Sequence, residues 1–160
     1  MSTDYFLKVD GITGESSDSN HSGWIDVSSF YWGMAQSSKM ASGGGGGAGK
    51  VQYKDLSVTA DVDISTPAIA RYASSGKHIS KVEISACKAG GEQIEYYRIT
   101  LEDVIITDVS YEGASMRPNV GVSYQFSAAK VKQQYWQQTD KGTKGAEAQS
   151  GWNIKENKEI

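Results

Sequence analysis

Seven residues from Gly44 to Lys50 carry the glycine and lysine spacing of a phosphate-cradling loop. In such a loop, backbone amides surround the phosphates, the lysine neutralises them and a following Ser or Thr hydroxyl holds Mg²⁺. Here Val51 stands at the hydroxyl position, no apolar strand leads in, and the residues that follow read as strand rather than helix. The aligned amides of a helix N-terminus are therefore missing, and the stretch reads as a glycine-rich surface loop. A dinucleotide glycine pattern threaded onto the same residues fails for the same reason.

Metal chemistry would need converging ligands. His21, His78 and Cys87 fall on a loop, a helix end and a strand, with none of the short spacings that build a zinc site. The histidines read as structural or solvated, and Cys87 as a small half-buried strand residue. Nucleophilic catalysis finds no support either: no Ser sits at a strand-to-helix elbow, and neither histidine has a recognisable acid and Ser partner order. The carboxylate pairs Glu102/Asp103 and Asp61/Asp63 read as solvent-face charges on strands. No catalytic residue, metal site or cofactor is expected, which favours a binding or structural role over an enzyme.

Any elements positioning these residues must come from one domain, since 160 residues suffice for a single core. With 38% hydrophobic and 22% charged residues the chain is neither disordered nor membrane-embedded. Sixteen basic side chains against nineteen acidic ones give a net charge of −3, which argues against nucleic acid as a partner. A single Cys excludes an internal disulfide framework. The N-terminus shows an early Asp4, no basic cluster and too short an apolar stretch for a signal peptide, so synthesis in the cytoplasm is expected. No apolar run reaches the roughly 20 residues of a membrane-spanning helix, and membrane insertion is not expected.

Twenty-three Val plus Ile against three Leu point to a mostly β fold. Strands are expected over 5–9 and 24–32. In the second, Ile25 and Val27 differ in parity from Phe30 and Trp32, so either both faces are covered or a bulge sits near Ser28 and Ser29. Residues 33–50 read as an extended glycine-rich loop. Leu56, Val58, Ala60, Val62 and Ile64 alternate with polar residues as a half-buried strand. Thr66 is expected to cap one short helix starting at Pro67, docked through Ile69 and Tyr72 and stopped at Gly76. Residues 79–88 and 93–106 form a predicted hairpin turning at Gly90-Gly91. A strand over 111–115, a turn over 116–119 and a long strand over 120–131 follow. Residues 138–160 read as a polar C-terminal segment, within which Trp152 is expected to dock.

In order and spacing, these residues resemble a known family. The resemblance runs through Asp4-Tyr5-Phe6-Leu7-Lys8-Val9-Asp10-Gly11-Ile12, Gly14-Glu15-Ser16, Ile25-Asp26-Val27, Trp32-Gly33-Met34 and the glycine loop. It continues through Ser74-Ser75-Gly76-Lys77-His78, Lys88-Ala89-Gly90-Gly91-Glu92, Glu95-Tyr96-Tyr97, Ile99-Thr100-Leu101 and Gly151-Trp152-Asn153-Ile154. The family is the haemolysin-coregulated proteins, Hcp, the tail-tube subunits of the bacterial type VI secretion system. The resemblance implies an antiparallel β-barrel or two-sheet sandwich with one short flanking α-helix. It also implies a homohexameric ring stacked into a tube, effector proteins carried in the lumen, and a secretion spike protein and sheath as partners. Such a protein is cytoplasmic before assembly and then exported without a leader. Family members commonly carry a small polar residue between the two aromatics that precede the Gly, at a position associated with the lumen. Phe30-Tyr31-Trp32 puts Tyr31 there, narrowing and aromatising the surface that meets effectors.

Ring closure needs two different patches on each protomer. The loop after Gly33 is long enough to reach a neighbouring protomer or ring, so Met34, Met40, Gly45, Gly46 and Gly47 are expected contacts, with Trp152 as a further one. Two other readings compete. A monomeric β-sandwich carbohydrate-binding module would use Trp24, Tyr31 and Trp32 as stacking faces, and an enzyme would use the glycine loop.

Overall fold

The structure, a computed structural model, describes residues 3–38, 49–88 and 93–160. In chain order these form β1 (Thr3–Val9), β2 (Ile25–Val27), β3 (Ser29–Tyr31), β4 (Met34–Ala35), β5 (Gln52–Tyr53), β6 (Leu56–Asp61), α1 (Thr66–Ser75), β7 (Ile79–Lys88), β8 (Ile94–Glu112), β9 (Gly121–Gln138), β10 (Lys144–Asn153) and β11 (Lys158–Glu159). The expected mostly β, antiparallel architecture with one helix is what the chain adopts.

The main sheet runs β11-β10-β9-β8-β7-β1-β2, with β6 also on β9 and β3 on β6. Strand β9 is shared between layers. Residues 121–126 pair with β6 and residues 130–138 with β10, while β8 lines the other edge. Because β2 pairs with β1 and β3 with β6, the sheet curls until its ends meet through the chain at Ser28, whose amide bonds the Thr59 carbonyl at 2.8 Å. Among the described residues no continuous ladder closes it. The interior holds Leu7, Ile25, Val58, Ile84, Leu101, Tyr124 and Phe126, all at most 2% exposed. Each such side chain contributes about 1.5–3 kcal/mol through burial.

The single strand expected over 24–32 is two strands. A bend at Ser28 resets the alternation, so Ile25 and Val27 are buried while Phe30 and Trp32, of the other parity, also pack against the core. The expected 33–50 loop starts and ends as a ribbon, with Met34 opposite Tyr53 and Ala35 opposite Gln52. Met40, Gly45, Gly46 and Gly47 lie outside the described residues, as does the Gly90-Gly91 turn.

Three further expectations are corrected. The strand from Leu56 ends at Asp61, and Val62 and Ile64 are exposed, because the Val62 amide turns to the Val120 carbonyl and Asp63 begins the turn into α1. Ser65, not Thr66, is the N-cap residue of α1. Thr66 is instead buried, its Oγ1 accepting the Asp63 amide at 3.0 Å and lying 2.9 Å from the Tyr124 hydroxyl, which ties the helix start to β9. The third correction concerns residues 94–112, which are one continuous strand rather than two. The polar C-terminal segment 138–160 contains β10, which pairs with β9 and, at its end, with the two-residue β11. The helix otherwise follows expectation, with Ile69 fully buried, α1 packed on β8, and Gly76 ending it at φ 68°.

Candidate functional site

Alternation along β3 and into Trp32 decides what the three consecutive aromatics do. Phe30 turns inward, edge-on to Tyr5 at 5.2 Å, and Trp32 packs against Tyr53 at 5.9 Å. Tyr31 between them points outward and is 59% exposed. Lys54, just past β5, donates to its hydroxyl at 2.9 Å and sits 5.3 Å from its ring centre. Met34, at the base of the ribbon, is also exposed. Burial raises the Tyr53 pKa, so the phenol opposite Met34 stays neutral at physiological pH.

Trp152 lies opposite Val131 and packs against the chain's own core, and its Nε1 is buried without an acceptor among the described residues. Trp24 is flanked by Lys8 at 5.9 Å, Arg98 at 5.7 Å and the edge-on ring of His21 at 4.8 Å. With Trp24 flanked in this way and Trp32 packed on the core, only Tyr31 of the three is an open stacking surface, so the carbohydrate-binding reading loses its platform.

Pattern reading missed an exposed apolar group around the β8–β9 turn. Val62 and Val120 adjoin through their backbone bond, Tyr111 lies opposite Val122, and Met116 is 93% exposed. Alternation alone puts Val62 on a buried face, because the pattern continues past the end of its strand at Asp61.

Of the two histidines, read from the sequence as structural or solvated, His21 is buried and His78 exposed. Asp18 Oδ2 bonds His21 Nδ1 at 2.7 Å, and His21 Nε2 meets Ser85 Oγ at 3.0 Å. Acid, histidine and serine therefore do line up, across 64 residues of sequence, where no spacing motif could reveal them. Ser85 has no exposure, however, and its hydroxyl donates to Glu95 at 2.5 Å, so no substrate reaches it and its proton is already committed. Cys87 is buried rather than half-buried, 3.9 Å from His21 Nε2. Burial pushes its pKa up, which keeps it a neutral thiol.

His78 is exposed and bonds Asp103 at 3.0 Å, beside an open cleft of about 640 Å³. That hydrogen bond leads the causes that lower the Asp103 pKa. Lys50 is followed by β5, a strand, as the rejection of a phosphate loop requires.

Residues 6–135 match the family model described as type VI secretion system effector, Hcp. The protein hcp1 of Pseudomonas aeruginosa is 42% identical over 159 residues, covering 98% of each chain. Among solved structures, Hcp1 from Salmonella typhimurium is similar over 100% of both chains, with 35% identity and a TM-score of 0.84. A type six secretion system protein is similar over 99% of this chain and 100% of its own, with 26% identity and a TM-score of 0.94.

Proposed function

The chain belongs to the Hcp family of type VI secretion proteins, and on that footing we propose that it acts as a homohexameric ring, stacked into the exported tail tube. It works by assembly and not by catalysis. The observation that carries this reading is that Val62, Tyr111, Met116 and Val120, large apolar side chains near the β8–β9 end of the sheet, are all exposed and would be left in water by a solitary subunit. Contact with a second protein at that end would remove them from water.

Lateral contact uses the short outer strands, whose free backbone groups a neighbour satisfies in a closed ring. Met34 at the foot of the ribbon, with Met40 and Gly45 to Gly47 beyond it, reaches the adjoining protomer or ring, and Trp152 supports the contact from β10. Tyr31 faces the lumen and, with Lys54 over its ring, offers effector proteins an aromatic and cationic surface. Spike and sheath of the same system are the further partners. The subunit is cytoplasmic until assembly and then leaves the cell through the apparatus.

Light scattering with negative-stain imaging of the purified protein tests this. Particles of about six chains with an annular outline are expected from closed cyclic assembly. Stable single copies at high concentration would overturn it.

A further inference from the structure

Residues 14–24 fold back across the outer face of β1, β7 and β8. Internal bonds shape this strap, among them Gly14 N to Gly23 O at 2.7 Å and Ser16 N to Trp24 O at 2.9 Å. Its anchor is the His21 side chain, 6% exposed, stacked flat on Phe6 at 4.2 Å.

From His21 a line of three hydrogen bonds runs in both directions: Asp18 to His21, His21 to Ser85, and Ser85 to Glu95. Each link requires one hydrogen. Two ionised carboxylates at the ends supply none, a neutral imidazole supplies one and the hydroxyl supplies one. The line is one hydrogen short. The Cys87 thiol does not make up the deficit, since it lies 3.7 Å from Ser85 Oγ and 3.9 Å from His21 Nε2, outside all three links.

The extra proton belongs on His21. Glu95 is held ionised by Arg98 Nε at 2.8 Å and Lys144 Nζ at 3.1 Å. With Ser85 Oγ–H already donated to Glu95, Nε2 must itself be a donor, while Nδ1 donates to Asp18.

The surrounding charges agree. Asp4 and Lys8 contribute from β1, Asp26 from β2, Glu83 and the neutral Cys87 from β7, Glu95 and Arg98 from β8, Lys144 from β10 and Asp18 from the strap itself. Five carboxylates thus stand against three cations, and an imidazolium reduces the excess.

We propose that the fold traps one proton in this line, carried by His21 as an imidazolium, and that this proton latches the 14–24 strap onto the sheet. The latch is lost when the network gives up that proton, because Nε2 and Ser85 Oγ are then left with one link unmade. The strap then lifts from Phe6 and uncovers Cys87.

Nitrogen NMR of the full-length protein labelled with ¹⁵N-histidine tests the proton count, with His21→Gln used to assign the signals. At neutral pH both ring nitrogens of His21 should carry hydrogen, and an unprotonated ring nitrogen overturns the proposal. In Ser85→Ala only the Asp18 link remains, so one nitrogen should lose its hydrogen at neutral pH; an imidazolium that persists there overturns the counting argument. Maleimide labelling of Cys87 tests the latch. Thiolate formation alone raises the rate about tenfold per pH unit. A steeper rise is expected as the imidazolium signals disappear, and a slope of tenfold or less across that transition overturns the latch.

Discussion

Lys54 clamps Tyr31 from the far side of the ribbon, donating to its hydroxyl at 2.9 Å while lying 5.3 Å from the centre of the same ring. An exposed aromatic is thereby held in one orientation by a residue 23 positions away. Tyr31→Ser removes both contacts. Exposed cation–π pairs contribute about 0.5–1 kcal/mol, so urea unfolding should show a loss no larger than about 1 kcal/mol. Ring formation should be unchanged while effector retention on the purified particle changes. A stability loss well above that, or unaltered retention, would remove Tyr31 from the lumen surface.

Deleting Gly43 to Gly47 shortens the segment between β4 and β5 and removes none of the buried hydrophobic residues. The circular dichroism spectrum and unfolding midpoint should stay close to those of the parent, and rings should still form. Stacked tubes in negative-stain images should become shorter or vanish. Tubes of normal length would count against a stacking role for this loop.

Burial alone would raise the Glu95 pKa, but hydrogen bonds from Ser85 and Arg98, the Arg98 charge and Lys144 outweigh it, and the net displacement is downward. A carboxyl lowered in the folded state contributes stability above its unfolded value, about pH 4.3, and that stability is lost as pH falls through the lower folded value. Urea midpoints should therefore decline on the acid side of about pH 4.3. Glu95→Gln should flatten that decline, and an identical acid limb in the variant would show that Glu95 is not its source.

Gly14 has no room for a side chain. A Cβ there would stand 2.5 Å from the Trp24 carbonyl oxygen and 2.7 Å from Ile25 Cγ1. Because the obstacle includes backbone, Gly14→Ala must displace the strap, at a cost of about 1–3 kcal/mol typical of overpacking. Chemical denaturation should show it, and amide exchange within residues 14–24 should quicken. An unchanged midpoint would mean the strap yields freely.

What the sequence made legible is what repeats locally. Leu56, Val58 and Ala60 alternate and are buried, the stretch leading into Lys88 pairs with the one following Ile94, and Ile69 docks the helix. The second half of β9 and all of β10 were not legible as strands beyond Val131, because Gln, Lys and Glu dominate there and both faces are largely wet. Pairing with a neighbour, and not alternation, makes them strands. Val62 and Ile64 misled because alternation outlasts its strand. The His21–Ser85 contact stayed hidden because it joins a loop to a central strand, whereas motif spacing reports only neighbours along the chain.

The bend at Ser28 has a mechanical consequence. One end of the curled sheet is held by β2 and the other by β3, each only three residues long, yet they are joined by peptide bonds. A load that tried to part the two ends would first have to strip both short ladders and then stretch the backbone itself. The seam can therefore open locally while its two sides stay joined through the backbone.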